Sequence, residues 1–284
     1  MANTVNKNII VPEVYAELVN EKVAGNVIVA QACEVLGDLK GKVGETLTMP
    51  KWAYIGDAED IEVGTAMEVS KMKQTSTTAT IKMIAAPAIA VNDYDDAVGL
   101  GNALNNASKQ QGISIARKYD TDAIDEARKT VLQYKIANKD TVTFDEMNSI
   151  LGLYGDDCNA DDFSFIAIHS KFVPSFLKMD GFVDATKTFT QEGSGIQLNN
   201  VLGYFRGIAV VVSDRLYDTA NQEGFILAIK KESIGLIPKE TPFTEVERDA
   251  STRTNNIFTS QYYAMALIND AGVVLAQTVL PTIE

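Results

Sequence analysis

Histidine is nearly missing from this 284-residue chain: the single copy, His169, ends a predicted apolar strand. A histidine metal site, a Ser-His-Asp triad or a Cys-His pair would all have to use it. Its surroundings carry no motif, and it reads as a structural residue. Cysteine is almost as scarce, with only Cys33 and Cys158, so no disulfide framework is implied. Cys33 lies among Ile28, Val29, Ala30, Ala32 and Val35 and reads as a small buried hydrophobe. Cys158 lies in an acidic loop whose carboxylates disfavour a thiolate. No apolar run reaches the ~18–20 residues that cross a bilayer. The polar start, Met1 to Asn8, lacks the pattern of a secretory signal. A cytoplasmic setting and no membrane partner are expected. Basic residues are few, 25 against 38 acidic ones, for a net charge of −13. No basic run exceeds a pair such as Lys230-Lys231. A protein that grips nucleic acid needs a basic face to release counterions, so direct binding is disfavoured. Such a surface can lie beside nucleic acid without sticking to it.

The parts of an active site are also missing. Gly99-Leu100-Gly101 lacks the third glycine and the flanking strand of a dinucleotide loop, and Gly193-Ser194-Gly195 has no Lys-Ser/Thr sequel. There is no Gly-x-Ser-x-Gly elbow and no evident acid/base pair of carboxylates. Asp156, Asp157, Asp161 and Asp162 crowd one loop, and Asp93, Asp95 and Asp96 another. Neither follows the calcium-loop order, and both read as solvated turns, with adventitious Ca²⁺ or Mg²⁺ between subunits as the other reading. No catalytic residue, cofactor or resident metal is expected.

What is present is a globular composition, 46% hydrophobic, enough for one large domain or two modest ones. Its most informative stretch runs from Gly44 to Ile84. Glu45 to Ile55 mixes β-formers with short polar residues at a period near two. Gly56 to Asp60 and Gly64 read as a turn region, and a Thr-rich return runs from Met67 to Ile84. The residue types predict a hairpin. A lone two-stranded ribbon is at best marginally stable in water, so it must lie on its own domain or on a neighbouring copy. That points to an assembly protein.

Around the ribbon, residues 1–10 read as an arm, and a short helix is predicted from Pro12 with a stripe of Val14, Tyr15, Leu18 and Val19. Ala85 to Val91 continues as a strand. A long helix is predicted from about Val98 to about Ile136, with Ile113, Ala116, Tyr119, Ala123, Ile124, Ala127, Val131 and Tyr134 on one face. Asp120 intrudes on that face, and Asp125 and Lys129 form an outer i,i+4 pair. The apolar stripe changes phase near Gly112, which predicts a kink or two different packing partners. Thr141 to Thr143 reads as a short strand and Asp145 to Tyr154 as a helix. Strands are predicted at Phe163–Ile168, Gly207–Val212 and Phe225–Ile229, with a helix around Pro174–Leu177. A closing hairpin is predicted from Gln261–Ile268 and Val273–Gln277.

This order of elements, an α+β arrangement, resembles the tailed-phage major capsid proteins of the HK97 fold. Locally, Val43 to Trp52 followed by Tyr54 to Asp60 is similar to the family's extended-loop segment. Val201 to Asp214 resembles its "G-x-x-x-G-x-x-V-x-x-S" strand, and Val246 to Ala250 the stretch returning to the peripheral domain. The resemblance implies an N-terminal arm (1–42), an extended loop (43–92), a peripheral domain (93–137 with 241–284) and an axial domain (138–240). It implies a homo-oligomer of pentamers and hexamers forming an icosahedral shell around double-stranded DNA that is held without specific binding. Trp52, Tyr54, Ile55, Asp57, Glu59, Asp60, Met67, Lys71 and Lys73 would make the inter-subunit contacts. The chain begins almost at the arm, so a separate scaffolding protein or a removed segment is expected, besides a portal and a decoration protein. The virion, assembled in the host bacterial cytoplasm, would be its location. Some relatives join an extended-loop lysine to a peripheral asparagine. Lys71 or Lys73 and Asn255 or Asn256 lie in those regions, but no catalytic glutamate is evident and crosslinking is not expected. The rival readings are an encapsulin-like nanocompartment shell and a soluble enzyme of unrecognised class.

Overall fold

The architecture is that of a computed structural model, which describes residues 12–37, 46–52, 74–92, 103–156, 158–184 and 201–281, with the backbone alone at Leu47, 49–52, Gln74, Thr75 and Asp184. In chain order the elements are α1 (Pro12–Asn26), β1 (Cys33–Val35), β2 (Thr46–Trp52), β3 (Gln74–Thr80), β4 (Lys82–Ala85), β5 (Ile89–Asn92) and α2 (Ala103–Ala127). Next come β6 (Leu132–Lys135), α3 (Phe144–Gly152), β7 (Phe163–Ile168), α4 (Val173–Phe176), β8 (Phe182–Asp184), β9 (Val201–Phe205), β10 (Ile208–Val212), β11 (Tyr217–Asp218) and β12 (Glu223–Gly224). The chain closes with β13 (Ile226–Lys230), β14 (Ile234–Pro238), β15 (Phe243–Asp249), β16 (Thr254–Leu267) and β17 (Val273–Gln277).

A seven-stranded sheet, ordered β6-β17-β13-β7-β10-β9-β8, forms the wall between two apolar cores. Successive side chains of a strand point to opposite faces. Phe165, Ala167, Leu227, Ile229, Val273 and Leu275 accordingly enter the core beneath α1 and α2. Ile166, Ile168, Ile226, Ala228, Val274 and Ala276 enter the other, against Met147, Ile150 and Leu151 of α3. Burial on both faces is why these strands read as unbroken apolar runs. The second sheet is organised on β16, whose partners change along its length: β15 and β5 near its start, β4 at Ser260–Tyr263 and β14 from Tyr263 to Leu267.

The predicted closing hairpin does not form. β16 belongs to the second sheet, and β17 lies between β13 and β6 in the first. The Asn269 side chain accepts from the Ala271 N–H at 3.1 Å and sets a 3₁₀ turn that carries the chain from one sheet to the other. All five β17 residues are buried, a demand that only a strand covered on both faces meets. The long helix also ends earlier than predicted. α2 stops at Ala127 and Leu132–Lys135 becomes a strand parallel to β17. The Thr130 hydroxyl, donating to the Asp270 carbonyl at 3.0 Å, pins the change of direction. Lys129 bonds Glu126 at 2.7 Å instead of Asp125. Thr141–Thr143 is not a strand. Thr143 caps α3, exchanging bonds with Glu146 in a capping box. On α1, Tyr15, Val19 and Val23 face inward, whereas Val14 and Leu18 face out.

The phase change at Gly112 has a packing cause. α2 runs unbroken through it, and α1 crosses there so closely that a Cβ would lie 2.6 Å from the Lys22 Cβ and 3.1 Å from the Val19 carbonyl oxygen. We expect Gly112→Val to destabilise the subunit by roughly 1–3 kcal/mol, because overpacking against α1 outweighs the small gain in helix propensity over glycine. A urea titration followed by circular dichroism checks this, and an unchanged midpoint would contradict the close crossing.

Candidate assembly surfaces

Three buried polar side chains of α2 hold the subunit's parts together. The Gln111 amide uses all of its hydrogen-bonding capacity. Its Oε1 accepts from the Tyr15 hydroxyl and the Thr259 hydroxyl, each at 2.9 Å, and its Nε2 donates to the carbonyls of Pro87 at 3.0 Å and Ile257 at 3.3 Å. One side chain thereby joins α1, α2, β16 and the link between β4 and β5. Asp120, the intruder on the apolar face, accepts from the backbone N–H groups of Ile28, Val29 and Ala30 at 2.9–3.1 Å. It clasps the chain leaving α1. Burial pushes its carboxyl above the ordinary range, opposed by those three N–H groups and Arg215. The same burial, with Asp120 nearby, pushes the Cys33 thiol up to about 12, so it is protonated and inert at neutral pH. Asp122 accepts from the Tyr263 hydroxyl and from Lys118 at 2.8 Å, with Lys82 of β4 at 3.9 Å.

Just past α2, Arg128 ties the helix to the β11–β12 hairpin. It bonds Asp218 at 2.9 Å and lies over the Phe225 ring at 5.0 Å. Burial pushes Asp218 up, but the Ala220 N–H, Arg128 and Asn221 outweigh it and hold the carboxyl below its ordinary value. His169 also proves structural: its Nδ1 accepts from the Lys171 N–H at 3.2 Å and caps a 3₁₀ turn, and burial lowers its pKa.

The predicted ribbon is present. β2 and β3 pair antiparallel over seven residues each, from Thr46 opposite Thr80 to Trp52 opposite Gln74. Its root stands on its own subunit, where Ala79 is 2% exposed against Ile237, Ala264 and Ala266. Thr46 and Thr80 at its base are exposed, as are Thr48, Ser76 and Thr78 farther out. Of the nine proposed contact residues, Trp52 ends β2, and only its backbone is described. Tyr54, Ile55, Asp57, Glu59, Asp60, Met67, Lys71 and Lys73 lie outside the described residues.

Other surfaces escaped the sequence reading. Val183 of β8 sits directly opposite Tyr204 of β9, and both are exposed at the edge of the seven-stranded sheet, with Leu177 and Phe144 exposed on neighbouring elements. Among the described residues β8 has no partner beyond β9, and an open edge beside apolar side chains invites another chain. The Phe205-Arg206-Gly207-Ile208 hairpin has positive φ at Arg206 (50°) and Gly207 (83°), the signature of a two-residue I′ turn. The sequence reading placed Gly207 at the start of the strand, whereas it belongs to this turn.

The comparisons with known proteins agree with this geometry. No family model matches the chain. It is 26% identical to the major capsid protein of Staphylococcus phage phiMR11 over 271 residues, 95% of this chain and 94% of that one. It is similar in structure to a protein of Mycobacterium phage Che8, with a TM-score of 0.62, 14% identity and coverage of 88% and 90% of the two chains. The mature capsid of bacteriophage PhiM1 gives a TM-score of 0.61 at 11% identity, with coverage of 90% and 88%. The capsid structure of Cyanophage P-SCSP1u gives 0.59 at 13% identity, with coverage of 84% and 85%. These likenesses establish the fold along nearly the whole chain.

Two outcomes test the joints. Asp120→Ala leaves three backbone N–H groups without their acceptor and should cost roughly 2–4 kcal/mol, read as a lowered midpoint in chemical denaturation. Asp218 has a folded-state pKa below the unfolded one. Its stabilisation is therefore complete above the ordinary value of 3.8 and is lost as pH falls through the folded value. Asp218→Asn should flatten this acid limb of the stability-against-pH curve, and an unchanged slope below pH 4 would contradict the pairing.

Proposed function

We infer that this chain is a major capsid protein of a tailed bacteriophage, with the HK97 fold and a structural role in the virion. The observation that carries the reading is the chain-long correspondence with a relative bearing that name, over 95% of this chain and 94% of that one. Neither a cargo-holding nanocompartment nor a soluble enzyme is favoured by the relatives. The work of the subunit is mechanical and needs no catalytic group: many weak interfaces, summed over closed symmetry, hold a shell together.

In this reading, copies gather as pentamers and hexamers of an icosahedral head around double-stranded DNA. The net charge of −13 supports a wall that does not trap the packaged DNA. The ribbon lies over an adjacent copy, with contacts from Trp52, Tyr54, Ile55, Asp57, Glu59, Asp60, Met67, Lys71 and Lys73. Residues 1–42 serve as the arm and 43–92 as the extended loop. Residues 93–137 with 241–284 form the peripheral domain around α2, and 138–240 the axial domain. Strand pairing supports one refinement: β6 and β17 go with the axial sheet and β14 with the peripheral one. The open β8 edge would then face the axial contacts. A separate scaffolding protein, a portal and a decoration protein are the expected partners, with assembly in the host cytoplasm.

Negative-stain microscopy of the expressed chain, with and without the product of a neighbouring scaffold gene, tests this. Icosahedral shells are expected. Deleting residues 56–66 should abolish them and leave a folded subunit. A discrete monomer or dimer with catalytic turnover under both conditions would overturn the reading.

A further inference from the structure

We propose that His169 is the pin of an acid-sensitive latch: as a neutral ring it holds the β11–β12 hairpin on the body of the subunit, and on taking up a proton it lets the hairpin open. The latch is a property of the single subunit and holds whether or not copies assemble. β11 and β12 pair only with each other among the described residues, Tyr217 opposite Gly224 and Asp218 opposite Glu223. A ribbon that small is marginal at best by itself, so it stays folded only where the body grips it.

The grip on the Tyr217 side runs through His169. Its Nδ1 accepts from the Lys171 N–H at 3.2 Å, so the neutral ring carries its own proton on Nε2. That bond caps the 3₁₀ turn Ser170–Phe172 and sets the course of Lys171. The imidazole lies 5.3 Å from the Tyr217 ring, and the Lys171 ammonium lies over the same ring at 4.7 Å. Lys171 also bonds Asp140 at 2.9 Å, and Asp140 accepts from the Gly224 N–H at 2.9 Å. One histidine thereby orders contacts to both strands of the hairpin. The fit is close: a Cβ on Gly224 would lie 2.8 Å from the His169 Cβ and 3.1 Å from the Phe172 ring.

A proton arriving from solvent has only Nδ1 to bind. That nitrogen then becomes a donor, the Lys171 N–H loses its acceptor, and a second positive charge appears beside the ammonium on Tyr217. Burial is the strongest influence on the ring and opposes its charged form, and Lys171 adds to it, whereas Asp214 and Asp140 favour the charge. Burial prevails, and the folded-state pKa lies below the ordinary 6.5. The latch is therefore complete above the ordinary value and is lost as pH falls through the folded one. Asp140 and Asp218 keep their charge in that window. Burial pushes each up, but its hydrogen bonds outweigh that and hold both carboxyls below 3.8. The remaining ties are Glu223 with the Val279 N–H at 3.0 Å and Lys139 with the Asn221 carbonyl at 2.7 Å.

Hydrogen exchange of the full-length subunit, read by mass spectrometry and corrected for the intrinsic effect of pH, tests the latch. Opening of the peptide that covers residues 217–224 should rise at least tenfold between about pH 7.5 and about pH 5, while β13 and β17 exchange as before. His169→Asn keeps a neutral acceptor suited to the cap and should leave the hairpin closed at both pH values. The chain has one histidine, so a single imidazole resonance reports its titration. Its midpoint should lie below 6.5 and coincide with the midpoint of hairpin opening. An unchanged exchange rate, the same acid response in His169→Asn, or an imidazole midpoint at or above 6.5 overturns the proposal. Should the variant fail to melt cooperatively, the two wild-type midpoints decide: coincidence supports the latch, and a separation of more than about one pH unit overturns it.

Discussion

A polar side chain inside a protein must find all of its partners there, since water can no longer supply them. This constraint organises the subunit. Gln111, Asp120 and Asp122 lie on one helix, each nearly inaccessible. Gln111 is satisfied only if α1, the β4–β5 link and β16 arrive together, and Asp120 only if the chain leaving α1 turns its N–H groups inward. Asp122 completes the set through Tyr263 of β16 and Lys118. Apolar packing alone would tolerate sliding between these elements. The directional bonds permit one register, so α2 acts as a rigid spine to which α1, the segment leaving it, the root of the ribbon and the long strand are fixed.

The seven-stranded sheet extends that rigidity. Because its side chains alternate into two cores, displacing a strand would disturb both at once. Arg128 links the end of the spine to the same half of the molecule through Asp218 and Phe225. Several surfaces of this body remain exposed. Those surfaces are the ribbon beyond Ala79, the β8 edge with Val183 and Tyr204, and the outer face of α1 with Val14 and Leu18. They lie on different elements, as expected of a unit that meets neighbours on several sides.

The elements legible in the sequence were those whose residues answer to local rules. Pro12 at the start of α1, the Thr-rich ribbon and the apolar β7, β10 and β13 follow from propensity and pattern. What stayed hidden was long-range. Asp120 looked like a flaw because its partners lie 90–92 residues away. Val273–Gln277 resembled the return strand of a hairpin because nothing within it announces a place in another sheet. Leu132–Lys135 continued a helical stripe by period, yet a parallel partner more than 100 residues later took it for a strand. Gly112 was noticed as a change of phase, but only the crossing of α1 explains it. For the proposed contact surface, composition located the ribbon, and Trp52 at the end of β2 is the one proposed contact residue among the described residues.

The choice of threonine in the ribbon bears on how such a surface can wait for its partner. Val or Ile at these positions would offer the same β-propensity, but an exposed apolar ribbon with two open edges is a template for uncontrolled pairing. Threonine keeps the branched Cβ that suits an extended backbone and replaces one methyl with a hydroxyl that water can satisfy. Thr46 with Thr80 and Thr48 with Thr78 face each other across the ladder, and all four are exposed. The ribbon therefore retains its shape preference at little cost in solubility. In the capsid reading, its marginal stability in isolation would let a neighbouring surface supply the missing ordering energy at the moment of contact. A strongly apolar arm would commit to whichever copy it met first, whereas a weak, polar one can detach and try again, which a closed shell of many identical units requires.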